Sequence, residues 1–69
     1  MTEEEHDDLE MKFKAFEEYK DQSEVTSWEL GFIEDQIKRF EEYGPRARYS
    51  DKQMAIINRV YDEKIAPLI

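Results

Sequence analysis

A chain of 69 residues with a net charge of −8 and no cysteine has room for one domain, held by packing rather than by disulfides. A single histidine without cysteine excludes a structural zinc site. No apolar run approaches the ~18 residues of a membrane helix, and the opening Met1-Thr2-Glu3-Glu4-Glu5 is the reverse of a signal peptide, so a soluble, reducing, cytoplasmic setting is expected.

Three segments open alike. Thr2-x-x-Glu5, Thr26-x-x-Glu29 and Ser50-x-x-Gln53 each fit a capping box. In that motif a hydroxyl accepts from the backbone of the third helical residue, whose own side chain reaches back. The first helix is predicted over about residues 3–19, with Leu9, Phe13, Phe16 and Tyr19 on one stripe and Met11 off it. Glu3, Glu4, Glu5, Asp7 and Asp8 crowd its start, where the helix dipole favours them and their mutual repulsion favours fraying. Asp21-Gln22-Ser23 then breaks the pattern.

The second helix opens at Thr26, with Val25 placed to staple onto Leu30. Leu30, Ile33, Ile37 and Phe40 form its inward stripe, flanked by Trp28, Phe32 and Tyr43. Gly31 in mid-helix costs about 1 kcal/mol, which points to close packing or a slight bend there. Gly44 supplies a left-handed C-terminal cap, and Pro45 forbids continuation. The third helix starts at Ser50, with Tyr49 stapled onto Met54. It turns Met54, Ile57, Val60, Tyr61 and Ile65 inward, leaves Ile56 to one side, and is ended by Pro67. The economical architecture is all-α: a compact three-helix domain over residues 1–69, with an acidic helix over 1–20 and an antiparallel helical hairpin over 26–64.

The residue types argue against an enzyme. No pair of carboxylates sits in an apolar setting that would split two pKa values. Glycine-rich phosphate loops and calcium loops are absent, and one histidine cannot complete a nucleophilic set. His6 beside Asp7 and Asp8 is read as incidental, in an end expected to fray. No cofactor or metal is expected.

Charge is placed unevenly. Residues 1–34 carry twelve acids and three lysines, whereas residues 35–69 carry six acids and seven bases. The basic residues gather around the second connection: Lys38, Arg39, Arg46, Arg48 and Lys52, bracketed by Tyr43 and Tyr49. Cations interleaved with aromatic rings suit phosphates and unstacked bases, so these seven are the candidate nucleic-acid contacts. The plainer reading has Lys38 and Arg39 pairing with Asp35, Glu41 or Glu42 while the tyrosines finish the core. A total charge of −8 argues against strong non-specific binding, so any contact is expected to be weak and salt-dependent. Trp28, with Phe32 one turn on, is expected to lid the core; the alternative is an exposed anchor for a partner. Self-association is a further expectation, because three short helices leave apolar flanks.

The residues Trp28-Glu29-x-x-Phe32-Ile33 with Ile37, then Ser50-Asp51-Lys52-Gln53, then Ile57, Val60-Tyr61 and Lys64 carry a resemblance. This stretch resembles a short helical-hairpin module of phage and bacterial DNA-processing proteins. It is similar in particular to the small phage proteins encoded beside the T4-type recombination helicase UvsW. The resemblance covers residues 26–64 and implies a compact helical domain likened to single-stranded nucleic-acid-binding modules, with Trp28, Phe32 and Lys52 as contacts. The acidic helix over 1–20 lies outside it.

Together these features lead to the expectation of a non-enzymatic phage accessory protein of DNA recombination, repair or replication in the host cytoplasm. It would act by weak contact with single-stranded DNA or RNA, by docking to a helicase or other DNA-processing protein, or by both. The alternative is an acidic protein-interaction module, a DNA-mimic-like inhibitor or adaptor that binds no nucleic acid. Neither reading involves a membrane.

Overall fold

The three hydroxyl-led starts set the architecture. In the computed structural model, which describes residues 2–69, they open α1 (Glu3–Tyr19), α2 (Ser27–Tyr43) and α3 (Asp51–Val60). Each capping box closes in both directions. Glu5 N donates to Thr2 Oγ1 at 3.1 Å, Glu29 N to Thr26 Oγ1 at 3.2 Å, and Gln53 N to Ser50 Oγ at 3.1 Å. The return bonds run from the Thr2, Thr26 and Ser50 amides to the side chains of Glu5, Glu29 and Gln53 at 3.4, 2.9 and 2.8 Å. Two otherwise orphaned amides are thereby satisfied at every helix start.

A 3₁₀ turn (Lys20–Gln22) follows α1, and the Ser23 amide and hydroxyl both donate to the Lys20 carbonyl. After α2, Gly44 adopts φ 54° and ψ −132°. Its φ is positive, as a glycine cap requires, but ψ lies outside the left-handed helical well, in a region effectively reserved for glycine. Pro45 then sits in a 3₁₀ turn (Gly44–Arg46) closed by the Ala47 amide on the Gly44 carbonyl at 3.0 Å. Gly31 is different. A Cβ there would meet nothing within 4 Å, so close packing does not explain this glycine.

The third helix departs from a plain run to Pro67. Its α-helical part stops at Val60, a π-helical turn occupies Tyr61–Ile65, and a 3₁₀ turn containing Pro67 spans Ala66–Leu68. Proline has no amide to donate, and its ring excludes the carbonyl four residues earlier, so regular α-helical bonding cannot continue through residue 67. The wider turn has a packing consequence. Five residues along an α-helix rotate a side chain about 140° off its face, yet Val60 and Ile65 are both fully buried.

Leu9, Phe13 and Phe16 from α1, Ile33, Ile37 and Phe40 from α2, and Ile57, Val60 and Ile65 from the C-terminal segment form one core. Val25, Leu30, Tyr49 and Met54, the expected staple residues, are half-buried against it. The Cα radius of gyration is 11.3 Å, near the ~11 Å of a compact chain of this length. Residues 26–64 do not pack only on themselves. Apart from neighbours in sequence, α1 runs alongside both Tyr61–Ile65 and Gly44–Arg46. Among the described residues there is no strand, and no helix is long and apolar enough to cross a membrane.

Candidate nucleic-acid interface

Ala47 is the hinge pin of the basic connection. It is only 3% exposed and lies in extended conformation between exposed Arg46 and exposed Arg48. Burying the small side chain presents its two charged neighbours to solvent. Lys38 and Arg39 are exposed towards the end of α2, and Lys52 is exposed in the first turn of α3.

The pairing of Lys38 and Arg39 with Asp35, Glu41 or Glu42 does not form. Among the described residues, none of Lys38, Arg39, Arg46, Arg48 and Lys52 lies within 4 Å of a carboxylate. The bases of α1 and its following turn behave otherwise. Lys12 meets Asp8 at 3.0 Å, Lys14 meets Glu10 at 3.0 Å, and Lys20 meets Glu17 at 3.0 Å and Glu34 at 3.4 Å. Arg59 faces Glu29 at 3.6 Å. Charge is thus engaged where acids are dense and left open around the second connection.

The two tyrosines part company. Tyr43 is 54% exposed at the end of α2 and keeps a ring face available. Tyr49 is half-buried, and its hydroxyl donates to the Gln36 carbonyl at 3.1 Å. Burial pushes its phenol above the ordinary value, and the nearby Arg39 charge partly offsets this, which also places Arg39 beside the connection. Tyr49 therefore fastens the connection onto α2 and is a poor stacking platform. Arg48, Ala47, Tyr49 and Met54 line a cleft of about 270 Å³, completed from α1 by Leu9 and Glu5. The Glu5 carboxylate tempers the charge of that cleft.

Trp28 is not a lid on the core. It is 60% exposed and stacks on Phe32, with ring centroids 5.4 Å apart and planes 13° from parallel. Fifteen positions along α2 separate it from Tyr43, about 22 Å at 1.5 Å per residue. Trp28 and Phe32 therefore form a separate surface from the seven residues of the connection. His6 is not incidental either. Its ring stacks on Phe40 at 4.7 Å, fastening the start of α1 to α2, and Asp7 Oδ1 lies 3.7 Å from its Nδ1. Among the described residues no three potential metal ligands gather.

Two polar residues, Glu29 and Gln36, are buried, and Lys12 is half-buried. Glu29 is 6% exposed; its carboxyl is held below the ordinary value mainly by the Thr26 amide bond, helped by the charges of Lys64 and Arg59. Gln36 is equally buried, and its Oε1 has no hydrogen-bond partner among the described residues. Lys12 donates to Asn58 Oδ1 at 2.8 Å and lies 5.7 Å from the Tyr61 ring centre, joining α1 to the C-terminal segment.

Compared with protein-family models, with curated proteins and with solved structures, the chain matches none.

Proposed function

We propose that this protein is a small non-enzymatic accessory factor of DNA recombination, repair or replication, phage-encoded and acting in the host cytoplasm. It works by weak contact of residues 38–52 with single-stranded nucleic acid. The observation that carries this reading is the set of five exposed cations without carboxylate partners, in a chain where acids outnumber bases by eight. Unpaired cations can neutralise phosphates without first breaking an ion pair, and the exposed Tyr43 ring offers a flat face to one base. The resemblance of residues 26–64 to helical modules encoded beside a recombination helicase points the same way. Docking to a helicase-type partner is the second route, favoured by the exposed Trp28–Phe32 stack, since tryptophan anchors interfaces more often than most residues.

The test is a titration of a fluorescently labelled single-stranded oligonucleotide, read by anisotropy. Trp28 emission is a poor reporter, because that ring lies at the far end of α2. Changing Arg46→Ala together with Arg48→Ala should weaken binding, and an absence of binding by the unaltered protein at low salt would remove the reading. The acidic-module alternative draws on the exposed carboxylates of Glu3, Glu4, Asp7 and Asp8. It is favoured if oligonucleotide binding is absent while reversal of those four residues to lysine abolishes capture of a protein partner.

A further inference from the structure

Two contacts set the register of α3 against α2. Glu29 faces Arg59 at 3.6 Å, and the Gln36 carbonyl takes the Tyr49 hydroxyl at 3.1 Å. Residue numbers therefore fall along α3 as they rise along α2. This puts Ile56 level with Phe32 and Arg59 beside the Trp28 end, with Lys52 and Arg39 towards the other end. At about 100° per residue, Trp28, Phe32 and Arg39 share one strip of α2, and Lys52, Ile56 and Arg59 share one strip of α3. α1 lies on the opposite side. Lys12 reaches Asn58 on α3, and Lys20, in the turn after α1, reaches Glu34 on α2. The two strips therefore make one outward face, with Phe32 and Ile56 half-buried along its middle and Trp28 standing exposed.

This face is basic in a chain of net charge −8. Arg39, Lys52 and Arg59 are exposed on it, with Asp35 as the exposed carboxylate beside them. Arg39 and Lys52 have no carboxylate within 4 Å among the described residues, and the Arg59 side chain stays 52% exposed while it faces Glu29. The residue types agree with the charge, since tryptophan, phenylalanine and arginine are enriched where proteins meet. From Trp28 to Arg39 the face follows α2 for eleven positions, about 16 Å.

We propose that this face docks an acidic amphipathic helix belonging to a protein partner. Such a helix lays apolar residues at i, i+3, i+4 and i+7 on Trp28, Phe32 and Ile56. Its flanking carboxylates meet Arg39 on one side and Lys52 and Arg59 on the other. Single-stranded nucleic acid fits this face less well. Phe32 occupies one face of the Trp28 ring, and aliphatic Ile56 gives a base nothing to stack upon. A second copy of this chain also fits poorly, because the apolar residue that follows its acidic first turns, Leu9, is buried in its own core. The proposal rests on the docking half of the functional reading and names the partner's chemistry there. Arg39 and Lys52 belong to both contacts, whereas Trp28 belongs to docking alone.

A direct experiment titrates the full chain with a synthetic helical peptide of glutamate and leucine, the leucines spaced i, i+3, i+4 and i+7, and follows emission from Trp28, the chain's one tryptophan. Emission should move to the blue, and NMR shifts should concentrate at Trp28, Phe32 and Ile56. A lysine–leucine analogue should produce neither, and a scrambled glutamate–leucine peptide should bind about tenfold more weakly, since charge alone does not supply register. With the peptide labelled and read by anisotropy, Trp28→Ala should weaken it at least about tenfold while leaving oligonucleotide binding unchanged. Lys52→Glu should weaken it about tenfold, whereas Lys14→Glu, the same charge change on α1, should alter it less than about twofold. Lys52→Gln gives an intermediate loss and serves if the reversed variant is unfolded by circular dichroism. Equal losses from Lys52→Glu and Lys14→Glu, a single-stranded oligonucleotide that shifts Trp28 emission as strongly as the peptide, or a peptide-free dimer that covers Trp28 would each overturn the proposal. So would a peptide that fails to bind. If Trp28→Ala still abolishes capture of a protein partner in that case, the docking reading stands and only the acidic helix falls.

Discussion

Glu29 shows how much one side chain can carry beyond its local motif. It returns the capping-box bond to Thr26, faces Arg59 and feels Lys64, all from a nearly buried position. Because the fold favours its charged form, its contribution is present at neutral pH and is lost as pH falls through the lowered folded value. Glu29→Gln keeps an oxygen for the cap but removes the charge. The variant should be less stable than the parent at pH 7, with the gap in denaturant midpoints closing as the solution is acidified through and below the ordinary carboxylate range. A gap independent of pH would show that the charge contributes nothing. Gly31 offers a simpler test. With open space around its missing Cβ, Gly31→Ala should raise stability by about 0.5–1 kcal/mol in the same assay, and a loss would point to a constraint at this position. The cap role of Glu29 was legible because its partner Thr26 lies only three positions earlier. Its burial was not, because Arg59 lies thirty positions away and a helical stripe assigns charged residues to solvent.

At the scale of elements, starts are local and ends are not. Each helix begins where a hydroxyl and a residue three positions on can satisfy each other's amides, so all three starts could be read from sequence. Ser50→Ala should therefore cost about 1 kcal/mol, with faster amide exchange confined largely to the first turn of α3; unchanged exchange there would contradict the cap. The C-terminal turn resisted such reading. Counted from Tyr61, periodicity places Ile65 on the α3 stripe, but counted from Val60 it lies off the buried face, and the π-helical turn before Pro67 is what lets both Val60 and Ile65 be buried. Tyr49 was similarly ambiguous. As a ring next to Arg48 it suited a base, and only the Gln36 carbonyl, thirteen residues earlier, shows it to be a fastening.

Across the whole molecule, ion pairing divides the surface. The cations of α1 are engaged with carboxylates, while Lys38, Arg39, Arg46, Arg48 and Lys52 are not, although the composition alone suggested that acids were plentiful enough for all. Sequence placed those five near one another; it could not show whether they were spent, because pairing depends on which helix faces which. The most direct measurement is the salt dependence of single-stranded oligonucleotide binding by the unaltered protein and by Arg46→Ala with Arg48→Ala. If all five cations meet phosphates, log K should fall against log salt with a slope of magnitude about 3.5, and the double variant should lower that magnitude by about 1.4. No binding at low salt, or the same slope in both proteins, would contradict the assignment of residues 38–52 as the nucleic-acid contact.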